Sequence, residues 1–346
     1  MTSLEVRFAA LEAPELSNQE PRFAVAPIGD GPDRLVAKDH QGAAAVLARV
    51  APGQPKPLHV QLQYISVTPE VRCEVIFPGG VSESGRYTLI RCIGDDEIQR
   101  LFLRLVASLV GEGGAAAGGK GIATIVVQLV ELFQRITKPP RSSIQGIWAE
   151  LFVIAGAQEP ERLLRAWHAE PSDVFDFSEG SQYLEVKSSG SRSRLHRVAL
   201  EQLYPPRGSV GVLASVVVER AGVGTTIEDL VDMAEEFVGY GEDLHVKLAA
   251  GVVAAIGSDW PLASRMGFDF EQATSMFALF NCSDVPRIAT ESVPQNVSRV
   301  RFDTRLDDVT ALRADEIAHL GGIAQSASRR RDGERLDPSV QKVGPA

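Results

Sequence analysis

The chain has 346 residues, 44% hydrophobic and 23% charged, enough for two or three compact units with their own cores. Its 35 basic against 45 acidic residues leave a formal charge of −10. That excludes a protein coating nucleic acid with its whole surface, though not one gripping it along a single basic edge.

The opening, Met1-Thr2-Ser3-Leu4-Glu5-Val6-Arg7, is mixed and resembles no basic-then-apolar leader. Apolar stretches fall short of a bilayer span, so a cytoplasmic location without membrane contact is expected. The first hundred residues read as mainly β. Strands are expected at 59–65, 71–77 and 87–93, with Pro78-Gly79-Gly80 supplying a turn. A helix follows, with Asp95 as N-cap and an apolar face of Ile98, Leu101, Phe102, Leu105, Val106 and Leu109. Gly111–Gly121 is rich in glycine and alanine and reads as a mobile linker or loop. It contains GxxxxGK from Gly114 to Lys120, but Gly121 stands where a phosphate loop needs Ser or Thr, and helix rather than strand precedes it. Nucleotide binding is therefore not expected. A second helix over 122–136 is stopped by Lys138-Pro139-Pro140. Residues 1–140 thus form an N-terminal β-rich α+β accessory module.

From residue 141 the pattern changes. Ser142 or Ser143 caps a helix running to about Ala155, and a short helix covers 159–169. Strands are expected at 174–177 and 183–188, then a basic segment, Arg192-Ser193-Arg194-Leu195-His196-Arg197-Val198, and a short helix at 200–203. Val210–Val218 is nearly all apolar, as in a strand buried on both faces. Helices near 227–240 and 244–256 and strands at 275–280 and 297–302 complete an α/β core over 141–325, a mixed sheet flanked by helices. Residues 326–346 lack apolar periodicity and are expected to be a disordered tail. The three cysteines, Cys73, Cys92 and Cys282, form no ligand pattern and read as reduced, buried thiols. Asp232, Glu235, Glu236, Asp307 and Asp308 read as solvated faces.

One short run carries chemistry. Asp176 is followed nine positions later by Glu185-Val186-Lys187 on an expected strand. Alternate residues of a strand share a face, so Glu185 and Lys187 point one way and Val186 the other. An antiparallel neighbour carrying Asp176 would set it beside Glu185, where two carboxylates share a divalent ion and a lysine steers water. Glu150, among Ile147, Trp148, Leu151 and Phe152, adds a third acid in an apolar helix.

Together Gly146-Ile147-Trp148-x-Glu150-Leu151, Asp176-Phe177, Leu184-Glu185-Val186-Lys187-Ser188 and Leu200-Glu201-Gln202-Leu203 resemble the motifs of the PD-(D/E)XK nuclease superfamily. The nearest likeness is to members encoded beside bacterial restriction and phage-defence genes. The motifs span Ser142 to Tyr204, with a weaker likeness over most of the chain; Phe175, rather than proline, precedes Asp176. The resemblance implies a restriction-endonuclease-like core and Mg²⁺-dependent DNA cleavage, with Mn²⁺ as a substitute, in a restriction or antiphage system. By position, Asp176 and Glu185 would bind metal, Glu150 would complete its shell, Lys187 would activate water, and Gln202 would support them. Arg192, Arg194, His196 and Arg197 would contact DNA phosphates. A non-catalytic DNA-binding or assembly subunit on the same fold is the alternative. Either reading leaves room for a homodimer and for other defence-system subunits.

Overall fold

The computed structural model describes residues 4–29, 31–50, 56–110, 121–168, 173–237 and 242–330. The expected Gly114–Lys120 loop lies outside them. The chain divides into two compact units, one of Met1–Ile147, Ala169–Pro171 and Thr226–Gly267, the other of Trp148–His168, Ser172–Thr225 and Phe268–Ala346. This interleaves the chain, where the sequence suggests a linear boundary near residue 140.

The first unit contains a six-stranded sheet of β1 (Arg22–Pro27), β2 (Arg34–Lys38), β3 (Ala44–Arg49), β4 (Val60–Gln61), β5 (Ile65–Ile76) and β6 (Ser82–Cys92). Their order is β1-β2-β3-β6-β5-β4, and β1 also pairs in parallel with β5, so the sheet curls back on itself. Phe23, Val25, Leu35, Leu47, Val75 and Tyr87 share its enclosed core, as period-2 alternation requires. The expected turn joins β5 to β6, with Gly79 and Gly80 at φ of 91° and 83°, a region L side chains avoid.

Helices of this unit are α1 (Leu4–Ala9), α2 (Asp96–Val110) and α3 (Ile122–Ile136), joined later in the chain by α6 (Ile227–Glu235), α7 (Glu242–Ile256) and α8 (Trp260–Ala263). Asp95 caps α2 by accepting from the Ile98 N–H at 3.1 Å, and all six expected apolar positions are buried. Asp232 is exposed, as expected of a solvated face, and pairs there with Arg104 at 2.7 Å. Helix α7 packs on α2 and α3, and this draws residues 226–267 out of the expected C-terminal core. The run Leu244–Ala263 is long and apolar enough to cross a membrane, contrary to the expectation that every apolar stretch is too short. Its most apolar window is 61% buried in the fold, which accounts for its hydrophobicity.

The second unit is built on α4 (Ile144–Ala155), whose first turn belongs to the first unit, and α5 (Pro160–Ala166). Ser143 accepts from the Gly146 N–H at 3.0 Å and starts α4 where expected. From Trp148 to Ala155 the helix is buried all round except at Glu150. The sheet contains β7 (Phe177–Glu179), β8 (Gln182–Ser189), β10 (Val210–Val217) and β12 (Ala278–Asn281) in the order β12-β10-β8-β7. It is mixed as expected: β8 runs parallel to β10, and the other pairs are antiparallel. Strand β9 (Leu195–Ala199) pairs with β13 (Arg301–Arg305) in a separate ribbon, and the 3₁₀ helix Leu200–Leu203 follows β9. Strand β11 (Arg220–Thr225) and helices α9 (Phe270–Ser275), α10 (Ala314–Leu320) and α11 (Gly322–Ser326) complete it.

Two expectations fail here for physical reasons. The strand expected at 275–280 begins only at Ala278, because Asp269 caps α9 by accepting from the Gln272 N–H at 2.9 Å. The expected tail starts too early: Ser326 and Ala327 are fully buried, and the Arg329 guanidinium lies 3.9 Å from the Phe152 ring while donating to the Phe152 carbonyl. Residues 331–346 lie outside the described residues. The three cysteines are free and buried, as expected.

Candidate functional site

Strand β8 carries the centre of the site. Its burial and parallel pairing to β10 place Glu185 and Val186 deep in the second unit, with Lys187 less covered. Glu185 and Lys187 share a face, and the Lys187 Nζ donates to Glu185 Oε1 at 2.6 Å. Gln202, on the 3₁₀ helix after β9, donates to the same oxygen at 2.6 Å. Its own Oε1 accepts from the Ala199 N–H at 2.9 Å, which fixes the amide's orientation.

Asp176 stands one residue before β7. The β7–β8 register pairs Phe177 with Leu184, so Asp176 continues the ladder opposite Glu185. Its Oδ2 accepts from the Val186 N–H at 2.7 Å. Glu150 arrives from α4, where its Oε2 accepts from the Trp167 indole N–H at 2.8 Å. The five residues singled out in the sequence thus meet in one place, although from a 3₁₀ helix and a pre-strand bend rather than from the helix and strand expected there.

Their electrostatics are mutual. Burial pushes the Glu185 carboxyl up to about 8; the neighbouring Asp176 charge adds to this, and Lys187 opposes it. Burial raises Asp176 too, against the pull of Lys187 and the Val186 N–H. Glu150 is held well above the ordinary carboxylate range, by burial first and then by the charge of Asp176. Packing three acids where water is scarce is costly unless a cation or protons compensate.

The donor set fits a divalent ion in one specific respect. Glu185 Oε2 is buried without a hydrogen-bond partner, an acceptor left open while Oε1 takes two donors. Among the described residues, no three His, Cys, Asp or Glu side chains form a metal-holding cluster. Mg²⁺ is commonly held by one or two carboxylates with water and substrate oxygens, so Asp176 and Glu185 are a sufficient protein contribution. Glu150, expected to complete the metal shell, is engaged by Trp167 at the border of the site.

Of the four residues expected to face nucleic acid, two do not. His196 is 1% exposed on the inner face of β9 and bonds Ser215 Oγ at 2.8 Å. Burial lowers its pKa to about 4, so it is neutral and cannot pair with phosphate near pH 7. The Arg194 guanidinium bonds Ser215 Oγ at 2.7 Å and the Met276 carbonyl, anchoring the start of β9 to the sheet. Arg192 and Arg197 are 77% exposed. The alternation of β9 explains the difference between His196 and Arg197, since residues 196 and 198 face inward and 195 and 197 outward.

Sequence reasoning missed Trp167. Its ring is 1% exposed, and a buried indole N–H requires an acceptor, which a search for nearby carboxylates would have answered with Glu150. Trp167→Phe is expected to cost about 1–3 kcal/mol in urea unfolding, as lost packing plus a stranded Glu150 oxygen. Unchanged stability would show that this hydrogen bond does not hold α4 to the site.

Residues 4–307 match the sequence profile of a family described as "Putative PD-(D/E)XK family member, (DUF4420)". No curated protein and no solved structure matches the chain.

Proposed function

The chain belongs to the DUF4420 family of PD-(D/E)XK proteins, and from that premise we propose that it is a metal-dependent DNA endonuclease of a restriction or antiphage system. The observation that carries this reading is the buried, unpartnered Glu185 Oε2 beside Asp176 and Lys187. Asp176 and Glu185 would hold the ion, with Mg²⁺ as the expected metal and Mn²⁺ as a substitute. Once bound, a divalent cation neutralises charge on the scissile phosphate and lowers the pKa of water.

The chain's own groups do the rest. Gln202 keeps Glu185 turned toward Asp176, and the Val186 N–H keeps one Asp176 oxygen fixed so that the other is free to bind. Lys187 supplies an ammonium that stabilises the attacking oxygen and the negative charge growing on the phosphoryl group. Glu150, whose carboxyl is raised well above the ordinary carboxylate range by burial and the Asp176 charge, borders the carboxylate pair from α4 and is held there by the Trp167 indole.

The purified protein with Mg²⁺ or Mn²⁺ should convert supercoiled plasmid to nicked or linear DNA, and EDTA should stop it. No conversion with either metal would overturn the proposal. A non-catalytic DNA-binding or assembly subunit is the second reading, favoured by the −10 charge and by the lack of a three-group metal cluster among the described residues. It expects duplex binding without cleavage.

A further inference from the structure

The two strands that stand apart from the main sheet, β9 and β13, form an antiparallel ribbon with a two-sided character. Its inner face is turned to the core: Val198 is buried, Phe302 packs on the same core cluster, and His196 bonds Ser215 through Nε2. Its outer face is set by the register. Arg301 lies opposite Ala199, Asp303 opposite Arg197, and Arg305 opposite Leu195. Arg197, Arg301 and Arg305 are all exposed on that one face, with Asp303 on the same face and Asp307 just past the end of β13 as the nearby carboxylates.

The ionic contacts on this ribbon are loose. Arg197 lies 3.9 Å from Asp303 and Arg305 3.8 Å from Asp307, with both arginine side chains more than 60% exposed. Pairs of this kind contribute about 0–1 kcal/mol, so a stronger anion displaces them readily. Two residues along a strand advance about 6.6 Å and neighbouring strands lie about 5 Å apart, so the three arginines form a zigzag with steps of roughly 8 Å. Long flexible side chains on that spacing can each reach a successive phosphate of one nucleic-acid strand, while surface lysines or arginines scattered singly cannot.

The ribbon also leads to the site. Arg197 is five residues from Gln202, whose amide touches Glu185, so at most about 18 Å of chain separates the nearest of the three arginines from the residue that bonds the carboxylate. In a chain of net charge −10, such a local basic face needs a reason.

We propose that the outer face of the β9–β13 ribbon, through Arg197, Arg301 and Arg305, is the track that grips the DNA phosphate backbone. This rests on the nuclease reading for its choice of DNA, but its test does not require cleavage. Binding of a fluorescent 20-base-pair duplex is measured by anisotropy in EDTA, across a series of salt concentrations. The triple variant R197A/R301A/R305A should bind at least about tenfold more weakly, with a slope of log affinity against log salt shallower by about 2–3. The control R72A/R86A/R313A, three exposed arginines elsewhere, should match wild type. Thermal melting of both variants checks that neither is misfolded. Wild-type binding with the triple variant unchanged in affinity and slope would overturn the ribbon while leaving the nuclease reading standing. Wild-type protein that binds no duplex at any salt would overturn both. Retained binding by a cleavage-dead Lys187→Ala protein would place the grip apart from the chemistry.

Discussion

Replacing Lys187 by alanine is expected to lower plasmid cleavage about 10³-fold at saturating Mn²⁺, with the fold and duplex binding retained. The lysine side chain is 20% exposed, so its removal opens little core and costs little stability. Among the described residues it is the only basic group bonded to Glu185, and its charge also lowers the pKa of Asp176. Losing it raises the protonation of both carboxylates and weakens metal uptake somewhat, which saturating Mn²⁺ at alkaline pH offsets. What that metal cannot restore is the ammonium beside the reacting oxygens. Single-turnover cleavage therefore separates the two effects, and a variant that cuts at the wild-type rate would show that Lys187 takes no part in the reaction.

Glu185→Gln should abolish metal uptake and yet stabilise the metal-free protein at alkaline pH. The sign follows from linkage. Burial, which disfavours its charge, pushes the carboxyl from an ordinary 4.5 up to about 8 in the folded chain. Between those values the folded state holds a proton that the unfolded state has released. The contribution of this group to stability is full below about pH 4.5 and is lost as pH rises through 8. Glutamine reproduces the protonated group, with an oxygen still able to accept from Lys187 and Gln202, and removes the titration. The variant should match wild type near pH 5 and exceed it by on the order of a few kcal/mol near pH 8.5. Urea unfolding at the two pH values reads this directly, and a pH-independent difference would contradict the buried-acid account. Adding Mn²⁺ to the wild-type protein should flatten its pH dependence, because the ion replaces the proton.

How far this was legible in the sequence varies along the chain. The carboxylate and lysine of β8 were readable because strand alternation needs only two residues of spacing, and Asp176 because a short hairpin returns it to the same level. The apolar run of β10 announced itself by composition. Strands β1 to β3 were less distinct individually, being short and rich in alanine, which carries little β preference. The misassignment of Arg194 and His196 has a different origin. Their basic character is visible in the sequence, but whether they face inward depends on β9 pairing with β13, more than a hundred residues away. The same long-range pairing places Arg301 and Arg305 beside Arg197, and no local pattern reports it. The interleaved units share this cause: α7 is apolar enough to pack on several partners, and only its tertiary contacts with α2 and α3 select one.

Calorimetric titration of Mn²⁺ into the wild-type protein and the Asp176→Asn variant, at pH 8 without DNA, goes straight to the paired carboxylates. Wild-type protein should take up the ion with release of protons, and the variant should show no saturable uptake. Equal binding by the two proteins, or none by wild type, would mean that Asp176 and Glu185 do not form a cation site.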